Sequence, residues 1–270
     1  MPIVKLNDGA ELYYEVSGEG KPVLFLHGVW MSSRFFQKQV PYFREGYQTI
    51  TLDFRGHGQS SAIDSGHTVA NYARDVKQFI QHLGLKDVTL LGWSMGAFVI
   101  WEYISQFGED NIKATVIVDE LASDFKWEDF EIGAFDLPTL TSMMRDLQTD
   151  QKSLLAGFIP LMFKEEVSGH NMEWMLAETT RLPATTASAI LFDQSLIDCR
   201  PYLSLITVPT LLCFGKEEKL IPVAAGEHLH REIGHSRLEL FENSCHCPFL
   251  EEPDQFNHKV DSFLKSLDGS

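Results

Sequence analysis

A serine framed by glycines, Gly92-Trp93-Ser94-Met95-Gly96, sits between one apolar run, VTLLGW, and another, MGAFVIWEYISQF. A buried strand that turns sharply into a helix holds its corner residue in strained backbone angles and leaves no room for side chains beside it. Glycines at 92 and 96 relieve that crowding and lift the Ser94 hydroxyl above the sheet. The helix that starts here aims its free N–H groups and positive dipole end at the same point. A serine N-cap with incidental glycines would share the spacing without needing a buried strand before it.

A hydroxyl is a weak nucleophile until a base takes its proton, and ten histidines are candidates. His246 lies between Cys245 and Cys247 in SCHCPFLEEP. Three soft ligands in a row suggest a metal. A structural zinc, however, takes about four ligands, commonly from two spaced pairs. Adjacent residues splay their side chains, and no C-x-x-C or H-x-x-x-H partner is present. No metal and no cofactor are expected. The glycines at 56 and 58 follow a strand but lack the rest of a nucleotide-binding fingerprint.

These residues need a frame. The chain has 270 residues, enough for one large domain or a core with an insertion. Its 22 basic and 38 acidic residues give a net charge of −16, which repels phosphate backbones and anionic lipid. Neither nucleic-acid nor membrane partners are expected. The first residues carry no apolar core of signal-peptide length. Four cysteines are too few for a disulfide framework. The expected setting is cytoplasmic. No pattern in the sequence specifies an oligomeric state.

IVKL and ELYYEV around the turn NDG read as a hairpin. PVLFLHG and QTITLDF read as the next strands, with a helix over 33–43 between them. A helix over 68–84 precedes the strand at 88–93, and a further strand covers 112–119. Residues 121–200 contain no convincing strand, only helical patterns near 137–148, 151–163, 170–181 and 184–196. Alternation resumes with a strand at 208–215, a helix near 222–233, a strand at 237–242 and a last helix near 253–267. Strands alternating with helices imply a parallel sheet covered on both faces.

Five motifs occur in order: His27-Gly28 after the third strand; Asp53-Phe54-Arg55-Gly56-His57-Gly58-Gln59-Ser60 after the fourth; the Ser94 elbow; Gly215-x-x-Glu218-x-x-x-Pro222; and His246-x-Pro248-x-x-Glu251-x-Pro253. In this the chain resembles the α/β-hydrolase superfamily over nearly its whole length, and most of all its cofactor-free esterase, lactonase and haloperoxidase-like members. The resemblance implies a mostly parallel eight-stranded sheet with helices on both faces. It also implies a core of residues 1–120 and 201–270 and a helical cap, 121–200, inserted after the sixth strand.

By that resemblance Ser94 is the nucleophile, His246 the general base and Glu218 the acid, with Asp119 and Glu217 as alternative acids. His57, the main rival base, falls with Asp53 and Arg55 in a stretch that ties loops together. The implied oxyanion donors are the backbone N–H groups of Val29 and Met95, with Trp30 as a one-residue shift of the first. The implied reaction is cleavage of a small-molecule ester, lactone or related carbonyl substrate of apolar character through an acyl-enzyme. A serine at the elbow argues against dehalogenation and epoxide opening, which use aspartate there. Carbon–carbon hydrolysis, perhydrolysis, and a regulatory protein that binds or slowly hydrolyses a small molecule remain alternatives. Phe125, Trp127, Phe130, Phe135, Met143, Met144, Phe158, Met162, Phe163, Trp174 and Phe192 would give an apolar roof. A thin helical layer also needs its own core, which accounts for more than half of them.

Overall fold

The computed structural model describes residues 2–217 and 219–267. Strands β1 (Ile3–Lys5), β2 (Glu11–Ser17), β3 (Lys21–Leu26) and β4 (Tyr47–Leu52) come first, with the short helix α1 (Val40–Phe43) before β4. Helix α2 (Val69–His82), β5 (Val88–Trp93), α3 (Met95–Phe107) and β6 (Ile112–Val118) follow. Then come α4 (Leu137–Phe158), α5 (Gly169–Thr179) and α6 (Ala184–Leu196). The chain closes with β7 (Thr210–Gly215), α7 (Val223–Glu232), β8 (Ser236–Phe241), α8 (Pro248–Glu251) and α9 (Pro253–Ser266).

Among the described residues eight strands form one sheet in the order β1-β2-β4-β3-β5-β6-β7-β8. The β1–β2 and β2–β4 pairs are antiparallel and the remaining pairs parallel. All six residues of β5 are buried, as continuous apolar strands are when helices cover both faces. The pleat sorts side chains between two cores. Leu24, Leu26 and Leu90 pack toward α2 and α3, whereas Val23, Phe25, Leu91 and Trp93 pack toward α8 and α9. Thr68 caps α2 by accepting a 3.2 Å hydrogen bond from the Asn71 N–H.

Two helices expected from the sequence take a different shape. Residues 33–43 split into a 3-10 turn, Ser33–Phe36, and α1, because Pro41 fits only a helix's first turn. The helix expected to run to 163 ends at Phe158, and Pro160 belongs to a separate 3-10 turn, Ile159–Met162. No helix among the described residues is long and apolar enough to cross a membrane. Helices α4 to α6 fill the interval between β6 and β7, on the side of the sheet where Ser94 emerges.

Candidate active site

Ser94 occupies the corner between β5 and α3 at φ 53° and ψ −125°, a conformation that costs a non-glycine residue about 1–3 kcal/mol. A side chain on Gly92 would come within 2.4 Å of the Gly96 carbonyl oxygen. One on Gly96 would come within 2.3 Å of the Leu26 oxygen. Any larger residue at either place would push the corner apart. The Ser94 N–H donates to the Val118 carbonyl at 3.0 Å, fixing the corner to the next strand.

His246 lies in the loop after β8 and is 4% exposed. Trp93, the residue before Ser94, donates from its indole Nε1 to the His246 carbonyl at 3.0 Å. The elbow thus carries its own anchor for the His246 loop. Glu251 braces the other side, accepting from the Cys245 N–H at 2.8 Å and from the Lys164 N–H at 2.7 Å. One carboxylate therefore joins the His246 loop to the chain just beyond Met162. All four cysteines are buried thiols, and Cys245 donates to the Leu161 carbonyl at 3.3 Å.

Of the carboxylates named from the sequence, Asp119 lies beside His246. It is fully buried, and its Oδ1 is 3.4 Å from His246 Nδ1. That separation is long for a hydrogen bond, as catalytic contacts often are before substrate tightens them. Asp119 Oδ2 accepts from the Gly215 N–H at 2.8 Å, which orients the carboxylate. Glu217 is exposed and pairs with Lys164 at 3.4 Å. Glu218 lies outside the described residues.

The loop after β3 is held by two neutral histidines. His57 Nε2 accepts from the Trp30 N–H at 3.3 Å while Nδ1 bonds the Arg55 carbonyl at 3.0 Å. Burial holds the His57 imidazole well below its ordinary pKa, so Nε2 stays an acceptor. Burial likewise lowers His27 to about 4, and its Nε2 accepts from the Phe54 N–H at 3.1 Å. The Trp30 N–H is thus engaged. Asp53 and Arg55 tie loops together, Asp53 through the Ser33 and Gln59 amides and Arg55 through both oxygens of Asp75. Trp30, Ser94 and Asp119 are three of the four non-glycine residues with positive φ among the described residues, so backbone strain gathers at this site.

A small cavity of about 70 Å³ opens above Ser94. Val29, Trp30, Ser94 and His246 form its floor, and Phe135, Met143, Phe158 and Leu191 come from the helical block. Phe130, Met162, Phe163 and Trp174 are buried in cores instead, and Phe192 is 47% exposed. The wall also contains Glu120, Asp124 and Gln194, none of which the sequence had pointed to. Their only signal was the acidic run Asp119-Glu120 directly after a buried strand.

Glu120 is 1% exposed; burial, then repulsion from Asp124, pushes its carboxyl well above the usual range. The unfolded chain ionises Glu120 above about pH 4.5, whereas the folded chain keeps the proton. The stabilisation from that proton is therefore present below about pH 4.5 and lost as pH rises toward the folded value. Glu120→Gln is expected to gain melting temperature on the wild type between about pH 5 and pH 8. A difference that stays flat or shrinks over that interval contradicts the buried proton.

Known proteins share this architecture. The alpha/beta hydrolase fold family profile matches residues 21–154. An esterase from Exiguobacterium antarcticum is 30% identical with a TM-score of 0.93, covering 97% of this chain and 98% of its own. A bromoperoxidase from Bacillus anthracis is 30% identical with a TM-score of 0.94, covering 98% of this chain and 99% of its own. The AB hydrolase superfamily protein YisY of Bacillus subtilis (strain 168) is 27% identical over 97% of this chain and 98% of its own length. The chain belongs to the α/β-hydrolase superfamily and is a hydrolase.

Proposed function

We propose that this chain cleaves small carboxylic esters or lactones through an acyl-enzyme, with residues 121–200 acting as a cap over the pocket. The observation that carries the reading is one cavity holding both Ser94, on its strained elbow, and His246, whose far nitrogen is 3.4 Å from the buried Asp119 carboxylate. Ser94 Oγ attacks the substrate carbonyl carbon as His246 Nε2 takes its proton. The carbonyl oxygen becomes an oxyanion facing the Val29 and Met95 N–H groups. Met95 opens α3, so its amide has no intrahelical acceptor. Collapse breaks the bond to the leaving alkoxide, which takes the proton from His246. Water, deprotonated by the same imidazole, then attacks the acyl-Ser94 and releases the acid. Asp119 orients the ring and stabilises the imidazolium.

A fluorophosphonate probe tests this directly. Intact-mass and peptide analysis are expected to place one adduct on Ser94, with labelling blocked by boiling. A native protein that stays unlabelled, or is labelled elsewhere, overturns the assignment.

A further inference from the structure

The acidic pair in the cavity wall has no task in that reaction. We propose that Glu120, Asp124 and Gln194 form a polar subsite that receives a hydrogen-bond donor, a hydroxyl or a protonated amine, carried by the substrate. The proposal rests on the esterase reading and names which esters the pocket prefers.

The donors and acceptors of the three side chains do not balance. Glu120 Oε1 accepts from the Leu121 N–H at 2.7 Å, and Asp124 Oδ2 accepts from Gln194 Nε2 at 2.7 Å. Burial, with repulsion between the two carboxyl groups added to it, pushes Glu120 well above its usual range and favours a proton on it. Gln194 Nε2 is engaged with Asp124, which leaves its amide oxygen to account for. Gln194 is 4% exposed, and its Oε1 has no partner among the described residues. Of the buried polar atoms without partners among those residues, it is the one that belongs to a cavity-lining side chain.

A buried amide oxygen without a donor is costly, and a ligand that donates to it removes the cost. A substrate carboxylate, phosphate or keto oxygen brings another acceptor and is repelled. The charged groups facing the pair are Asp119 and His246. A cluster that only fastened α6 to the end of β6 would spend its acceptors internally. This one leaves Gln194 Oε1 without a donor, on a side chain that lines the cavity holding Ser94.

The experiment compares methyl esters of straight-chain acids, about five to eight carbons long, whose far end is a methyl, a hydroxyl or an ammonium group. At one length the hydroxyl- or ammonium-ended ester is expected to exceed its methyl-ended match about tenfold in kcat/KM. The better of the two identifies the donor. In Gln194→Met that ratio is expected to fall toward one. Methyl-ended esters preferred at every length, or a preference that survives Gln194→Met, overturns the subsite.

Ser94→Ala protein gives a reading that needs neither turnover nor a pocket variant. Thermal shifts with 1-pentanol, pentane-1,5-diol and 5-amino-1-pentanol are expected to be larger for the two donor-ended ligands. Equal shifts also overturn the subsite. Failure of the esterase reading looks different: no ester of any kind is turned over and the wild type resists the fluorophosphonate.

Discussion

Ser94→Ala is expected to lower kcat on a p-nitrophenyl short-chain ester by about 10⁴- to 10⁶-fold, while the melting temperature moves by no more than about 2–4 °C. The size follows from what the hydroxyl does. Without it no acyl-enzyme forms, and the residual rate comes from substrate held beside the oxyanion amides. The small thermal effect follows from the surroundings. Ser94 makes no side-chain cap bond to α3, and the glycines on either side keep the corner open whichever small residue sits there. Steady-state kinetics and a melting curve on one preparation check both halves. Turnover within tenfold of the wild type means that another group performs the attack.

The second large effect concerns the acid. Asp119→Asn is expected to lower kcat by about 10³- to 10⁴-fold, because the amide leaves the imidazole in the wrong tautomer and the imidazolium without its counter-charge. The substitution would also weaken the clamp on the Gly215 N–H, since only one of the two terminal atoms of an amide side chain accepts. Glu218→Gln is expected to cost less than tenfold. The two variants on one ester separate the candidates: a large loss in Glu218→Gln with a small one in Asp119→Asn transfers the role to Glu218. The pH–rate profile gives a second view, since losing the counter-charge lowers the pKa of the base and shifts the acidic limb downward.

How far the residues alone revealed this architecture depended on whether a signal was local. The elbow was legible because strand, glycines and helix lie within the twenty consecutive residues 88–107, and β5 and α3 begin and end where the apolar runs do. The interruption near Asp150 was legible for the same reason. Its φ of −153° separates two helical stretches, and its side chain accepts from the Ser153 N–H as an N-cap does. Other features came from distant packing. The task of His57 depends on a bond to Trp30, 27 positions away, and Trp93 reaches the His246 carbonyl across 153 positions. Glu120 and Asp124 read as two more charges in an acidic chain. Only burial against Gln194, from the far end of the helical block, sets them apart from the surface.

The position of His246, the proposed base, bears on how the protein is made. Ser94 leaves a central strand of the sheet, but His246 follows the edge strand β8, which is completed last. At a ribosomal speed of roughly 5–20 residues per second, about eight to thirty seconds separate their synthesis. Through that interval the emerging chain holds Ser94 without His246. On the proposed roles, the nascent protein would be silent toward esters until the His246 loop has docked, and synthesis itself would act as the safety catch.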